Sequence, residues 1–249
     1  MPVCRLIYRL DYDYQYDMVD YPGKVMQMID HAAKRGHWSE IRENQQRRAV
    51  SGKYISDDGN VVYEFTLEPR TLISSIELVD GIEISKIFDD EGLSLLLKLS
   101  DQAIKTYHIN SINRSGVRVF YFGKCKDEAS KLKNYRAFID DDLVSAIESR
   151  VGEIRDYGLA FDGSSEDGMR YHCRTGPLSE SEDYSKYFEY LAEKLKKDAN
   201  WDYVVDLDLY ENDTTISSIS LQKWFKPQMD KADRLISLFE TDFKKDRGN

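Results

Sequence analysis

Asp206 and Asp208 stand two apart in the run Val204-Val205-Asp206-Leu207-Asp208-Leu209-Tyr210. On a strand, that spacing puts both carboxylates on one face. Such a pair could hold a hard divalent cation for metal-dependent nuclease or phosphoesterase chemistry, with other carboxylates drawn from dispersed positions. The plainer reading is that Val205, Leu207 and Leu209 face the core while the aspartates face water. The other carboxylate runs have local explanations. Asp140-Asp141-Asp142 suits a helix start, where the dipole favours negative charge. Asp57-Asp58-Gly59 and Asp162-Gly163 read as turns.

The remaining reactive types are sparse. Of the four histidines, His31 and His37 are six apart, too far to share one helix face as metal ligands. His172 and Cys173 are adjacent on a predicted strand and so point to opposite faces. Cys4, Cys125 and Cys173 share no short spacing and read as small buried hydrophobes. Neither a GxGxxG nor a GxxxxGK[ST] phosphate cradle is present, nor a GxSxG elbow or kinase signature set. No catalytic residue, resident metal or cofactor is therefore assigned.

Cations offer a different chemistry. Arg114 and Arg118 bracket the start of the strand Val117–Phe122, and Lys223-Trp224-Phe225-Lys226 joins aromatics to cations before the last helix. Arg114, Arg118, Trp224 and Lys226 are the candidate binding residues, since Trp and Arg commonly anchor protein interfaces. Arg42, Arg47 and Arg48 form a smaller basic group near Trp38 that could meet phosphate or an acidic partner.

The elements that must position these residues follow from patterning. Leu6, Tyr8, Leu10, Tyr12, Tyr14 and Tyr16 alternate with Arg5, Arg9, Asp11, Asp13 and Gln15, as in a strand with one buried face. A helix is predicted over about 20–35, with Pro22 in its first turn. A hairpin follows, Gly52–Ile55 and Val61–Leu67 around an acidic turn, and then a strand over Leu72–Val79. The stretch 89–109 fits a helix capped by Asp89 or Asp90. A helix over about 127–150 would carry Leu132, Tyr135, Ile139, Leu143 and Ile147 on one side. Strands are predicted over 153–162 and 169–175. Ser179 and Glu182 would box the start of a helix faced by Tyr184, Tyr187, Phe188, Leu191 and Leu195. A strand over Trp201–Tyr210 and a helix over 226–244, with Pro227 in its first turn, complete the chain.

Composition sets the class. The 249 residues are 41% hydrophobic and 32% charged, which places the chain among folded globular proteins. No apolar run reaches the ~18 residues of a membrane span, no secretory h-region precedes the first strand, and three unspaced cysteines do not make a disulfide framework. A cytoplasmic protein with no membrane association is expected. The net charge is −10; residues 1–125 carry 16 Lys and Arg against 18 Asp and Glu, and residues 126–249 carry 19 against 27. That acidity disfavours non-specific nucleic-acid binding while leaving room for a local basic site.

The segment Ile112-Asn113-Arg114-Ser115-Gly116-Val117-Arg118-Val119-Phe120-Tyr121, with the helix from Trp224 to Phe239, resembles a sporadically distributed, functionally uncharacterised bacterial family of about this length. Its strand motif has the form R-I-G-L-R-Y-I-N, and Arg114, Gly116, Arg118 and Tyr121 occupy the matching positions. Tyr121 is displaced along the strand, and glycine follows where the motif has asparagine. The resemblance implies no activity. The family's patchy distribution implies a mobile-element or antiphage defence setting.

The expected fold is α+β, mainly antiparallel, with helices packed on one face. Two echoing hairpins suggest similar halves, 1–125 and 126–249, alongside the alternative of one continuous domain. The expected function is non-enzymatic, through a protein partner or self-association, with the metal-dependent nuclease or phosphoesterase as the alternative.

Overall fold

The computed structural model describes residues 2–33, 40–44, 46, 48–125, 135–136, 138–154, 157–179, 182–198, 201–214 and 221–244. The strands are β1 (Pro2–Tyr12), β2 (Glu40–Asn44), β3 (Ala49–Ile55), β4 (Val61–Glu68), β5 (Thr71–Glu83), β6 (Ile112–Gly123), β7 (Leu159–Ser164), β8 (Arg170–Pro177) and β9 (Tyr203–Thr214). The helices are α1 (Tyr16–Asp20), α2 (Pro22–Ala33), α3 (Glu91–Thr106), α4 (Asp141–Val151), α5 (Ala192–Asp198) and α6 (Leu221–Lys244). All nine strands form one antiparallel sheet in the order β2-β3-β4-β5-β1-β6-β9-β8-β7, as the α+β expectation requires.

Alternation on the strands makes the core. Leu6, Tyr8, Leu10 and Tyr12 of β1, Val117 and Val119 of β6, and Val205, Leu207 and Leu209 of β9 are buried on one face. The apolar sides of α2, α3 and α6 cover that face, with Val25 and Ile29, Leu93 and Leu96, and Phe225 and Ala232 in the same cluster. Phe225 meets Tyr8 edge-on at 5.8 Å. No described helix is long and apolar enough to cross a membrane.

Several elements depart from the sequence pattern. β1 ends at Tyr12, and the exposed Tyr16 opens α1 instead of extending the strand. The predicted strand over 153–162 begins only at Leu159. On α4, Leu143 and Ile147 are 54% and 39% exposed, so the predicted apolar side is not a core-facing stripe; Val144 is the buried residue, and Leu132 lies outside the described residues. α6 begins at Leu221 and not at 226, its first N–H meeting Asp101 at 3.1 Å, which leaves Pro227 inside the helix. The helix expected after Ser179 is instead a single 3-10 turn, Tyr184–Lys186, followed by α5. Tyr184, Phe188, Leu191 and Leu195 are buried as expected, but against Phe120, Phe122 and Val204 on the other face of the sheet. One short helix and one turn therefore lie opposite the main helical layer.

The two ends of the chain correspond. β1 and β6 are neighbours at the middle of the sheet; β5, β4 and β3 follow outward from β1 as β9, β8 and β7 do from β6. Tyr8 pairs with Val117, and a two-fold through that pair exchanges Arg5 with Arg114 and Arg9 with Arg118. The sequences Arg5-Leu-Ile-Tyr-Arg9-Leu and Arg114-Ser-Gly-Val-Arg118-Val carry the same echo. The sheet runs through all of these strands without interruption.

Candidate functional site

The sheet face away from α2, α3 and α6 is charged. Alternation sets Arg5, Ile7 and Arg9 of β1 beside Arg114, Gly116, Arg118 and Phe120 of β6, with Asp206, Asp208 and Tyr210 of β9 next in register. Arg170, His172 and Arg174 of β8 continue the row. The 182–198 segment closes one end of this face with Tyr184, Tyr187 and Phe188. The rest is an open depression of about 330 Å³ lined by Arg5, Arg9, Arg114, Gly116, Arg118 and Asp208 among others.

Each guanidinium is held differently. Arg118 grips Asp206 with both ends of its fork, Nε to Oδ1 at 2.7 Å and Nη2 to Oδ2 at 2.6 Å, and lies over the Phe120 ring at 4.8 Å. Arg114 donates from Nη2 to Asp208 Oδ2 at 3.1 Å and covers Tyr210 at 4.5 Å. Arg9 donates from Nε to Asp11 at 2.8 Å. A carboxylate at the edge and a ring at the face fix the plane of Arg114 and of Arg118. A guanidinium has five N–H donors. Arg118 therefore keeps three, and Arg114 and Arg9 most of theirs, for something above the sheet.

Arg5 is already committed. It is 12% exposed, donates from Nη1 to Tyr187 O at 2.6 Å, and sets Nε 3.2 Å from Glu77 and Nη2 3.6 Å from Glu189. Its Nε contact is an ion pair without hydrogen-bond alignment. Arg5 ties down the closing segment.

Ionisation follows these contacts. The hydrogen bond and charge of Asp206 hold Arg118 above its ordinary value, against partial burial. Burial pushes the Asp208 carboxyl up, Asp206 adds to this, and Arg114, Arg118 and His172 pull it back. On the edge hairpin, His172 Nδ1 meets Asp162 at 2.5 Å. Burial pushes the Cys4 and Cys173 thiols up to about 12.

Arg114, Arg118, Asp206 and Asp208 come together as two ion pairs, so the two sequence-level candidates meet in one place. Among the described residues, no three His, Cys, Asp or Glu side chains form a metal-holding group. Trp224 packs at the edge of the core and Lys226 is exposed on α6, across the sheet from the arginines. Arg48 is exposed with φ 54°, while Trp38, His37 and Arg47 lie outside the described residues. Arg9 lines the depression but is not a motif position, while Gly116 is a motif position that is not among the candidate binding residues; the repeated Arg-x-x-x-Arg is the signal that finds Arg9. No family model matches the chain, and a search of curated proteins finds no relative.

Proposed function

We propose that the chain is a non-enzymatic binding protein that captures an anionic group on the open sheet face, as an accessory component working through contacts. The observation that supports this most is the convergence of Arg9, Arg114 and Arg118 around the bare backbone of Gly116. Pre-oriented guanidiniums lose little freedom when they bind carboxylate or phosphate oxygens. Reactive partners near them are spent or suppressed. Both oxygens of Asp206 accept from Arg118. The Cys173 thiol is buried on the opposite face and too weakly acidic to supply a thiolate. A defence or mobile-element role, as the family resemblance implies, accords with a component of this kind.

Thermal melting with phosphate or manganese tests the reading against metal-dependent hydrolysis. An anion bound at about 100 times its Kd stabilises by about 2.7 kcal/mol, and a chain of this size gains roughly 2–4 °C per kcal/mol. Phosphate is expected to raise the melting temperature by several degrees, and Arg118→Ala to remove that rise. A rise with manganese that Asp208→Ala abolishes would overturn the proposal.

A further inference from the structure

We infer that the open face seats a phosphate monoester over Gly116, gripped by Arg9, Arg114 and Arg118; this rests on the anion-binding reading above. The register supplies the geometry. Arg114 and Arg118 lie two residues to either side of Gly116 on β6, about 7 Å away along the strand. Arg9 is the direct cross-strand partner of Gly116, about 5 Å away. The α-carbons of three arginines thus flank that of one glycine from three directions, and all four residues line the same depression.

The floor must be bare. A Cβ at Gly116 would lie 3.1 Å from Tyr210 Cβ and 3.2 Å from Leu209 O, and any larger side chain would fill the space between the arginines. The neighbouring floor residues Ile7, Ile73 and Ser75 offer no competing charge. A phosphate monoester carries three terminal oxygens and nearly two negative charges at neutral pH, so it can meet all three forks at once. A carboxylate has two oxygens and one charge.

The margin of the depression selects a terminal group over a polymer. Glu64 and Glu189 also line it, as does Asp208, which is held by Arg114. A chain of phosphodiesters crossing the sheet would pass these carboxylates and be repelled. A single esterified phosphate keeps its charge at the centre, and hydroxyl or amine groups on the esterified molecule can donate to the acids around it.

Calorimetric titration of the full chain with glycerol phosphate, a phosphoserine peptide, succinate and oligothymidylate tests this. The monoesters are expected to bind saturably, at least tenfold tighter than succinate or oligothymidylate. Arg9→Ala is expected to weaken them tenfold or more with an unchanged melting temperature, because Arg9 is 49% exposed and its ion pair with Asp11 is a surface one. Gly116→Ala should also abolish binding, and its melting curve reports whether the fold survives. Tighter binding of the peptide than of glycerol phosphate places the group on a protein; the reverse places it on a small molecule; both support the phosphate assignment. Succinate binding without monoester binding overturns that assignment and leaves the anion site standing. Absence of binding by every anion overturns both. Wild-type affinity in Arg9→Ala, or oligothymidylate binding as tightly as a monoester, overturns the assignment.

Discussion

Glu77, on β5, is 1% exposed and accepts backbone N–H bonds from Glu189, Tyr190 and Leu191 at 2.7, 2.9 and 3.0 Å. Arg5 adds the compensating charge. One carboxylate therefore pins the segment that closes the charged face. Removing one partner of a buried pair costs about 3–5 kcal/mol, because the other charge is left uncompensated. Glu77→Ala should lose stability in that range in denaturant titration and expose the 187–191 amides to rapid hydrogen exchange. A loss under 1 kcal/mol with the amides still protected would contradict this role. Nothing near Glu77 in the sequence announces it, since its partners lie 112 to 114 residues away. Arg114 and Arg118 stand out beside an apolar strand, whereas Arg9 looks like one more wet-face residue until β1 is set against β6.

At the scale of elements, local signals succeeded where the hydrogen bonds are local. Asp90 caps α3, accepting from Leu93 N–H at 2.7 Å as an N-cap aspartate should. β1, β6 and the hairpin of β3 with β4 follow from alternation and turn chemistry. The segment after Ser179 failed for a physical reason. Its aromatics repeat at helical spacing, but Glu77 takes the N–H groups of residues 189–191, so tertiary bonding replaces the helix there. The first turn of α3 shows a similar override. Gly92 lies beneath the Tyr63 ring, and a Cβ there would come 2.1 Å from Cε1. Alanine is favoured over glycine in a helix by up to about 1 kcal/mol, yet overpacking of this kind costs about 1–3 kcal/mol. Gly92→Ala should therefore lower the melting temperature. A raised one would show that Tyr63 moves aside freely.

Across the whole molecule, the strands before and after residue 110 meet at one central pair, β1 and β6. β1 obtains one neighbour, β5, from its own group and the other, β6, from the second. Without the other group, β1 and β6 would each become an edge strand, and an exposed apolar strand edge invites aggregation. Scanning calorimetry should therefore give one transition, with calorimetric and van't Hoff enthalpies in agreement. Two resolved transitions would mean that the two groups fold independently. The sequence carries two echoing hairpins. It could not show that the repeat places Arg9 and Arg118 across a common axis, because that depends on the β1–β6 register.

The same register underlies the proposed activity, so the most direct measurement follows the arginines themselves. Nitrogen-15 spectra of the guanidinium Nε–H groups, recorded during titration with glycerol phosphate, report each fork separately. Arg9, Arg114 and Arg118 should shift together along one saturable curve, while Arg5, held by Glu77 and Tyr187, stays in place. Unchanged signals for those three arginines at saturating ligand would contradict the account.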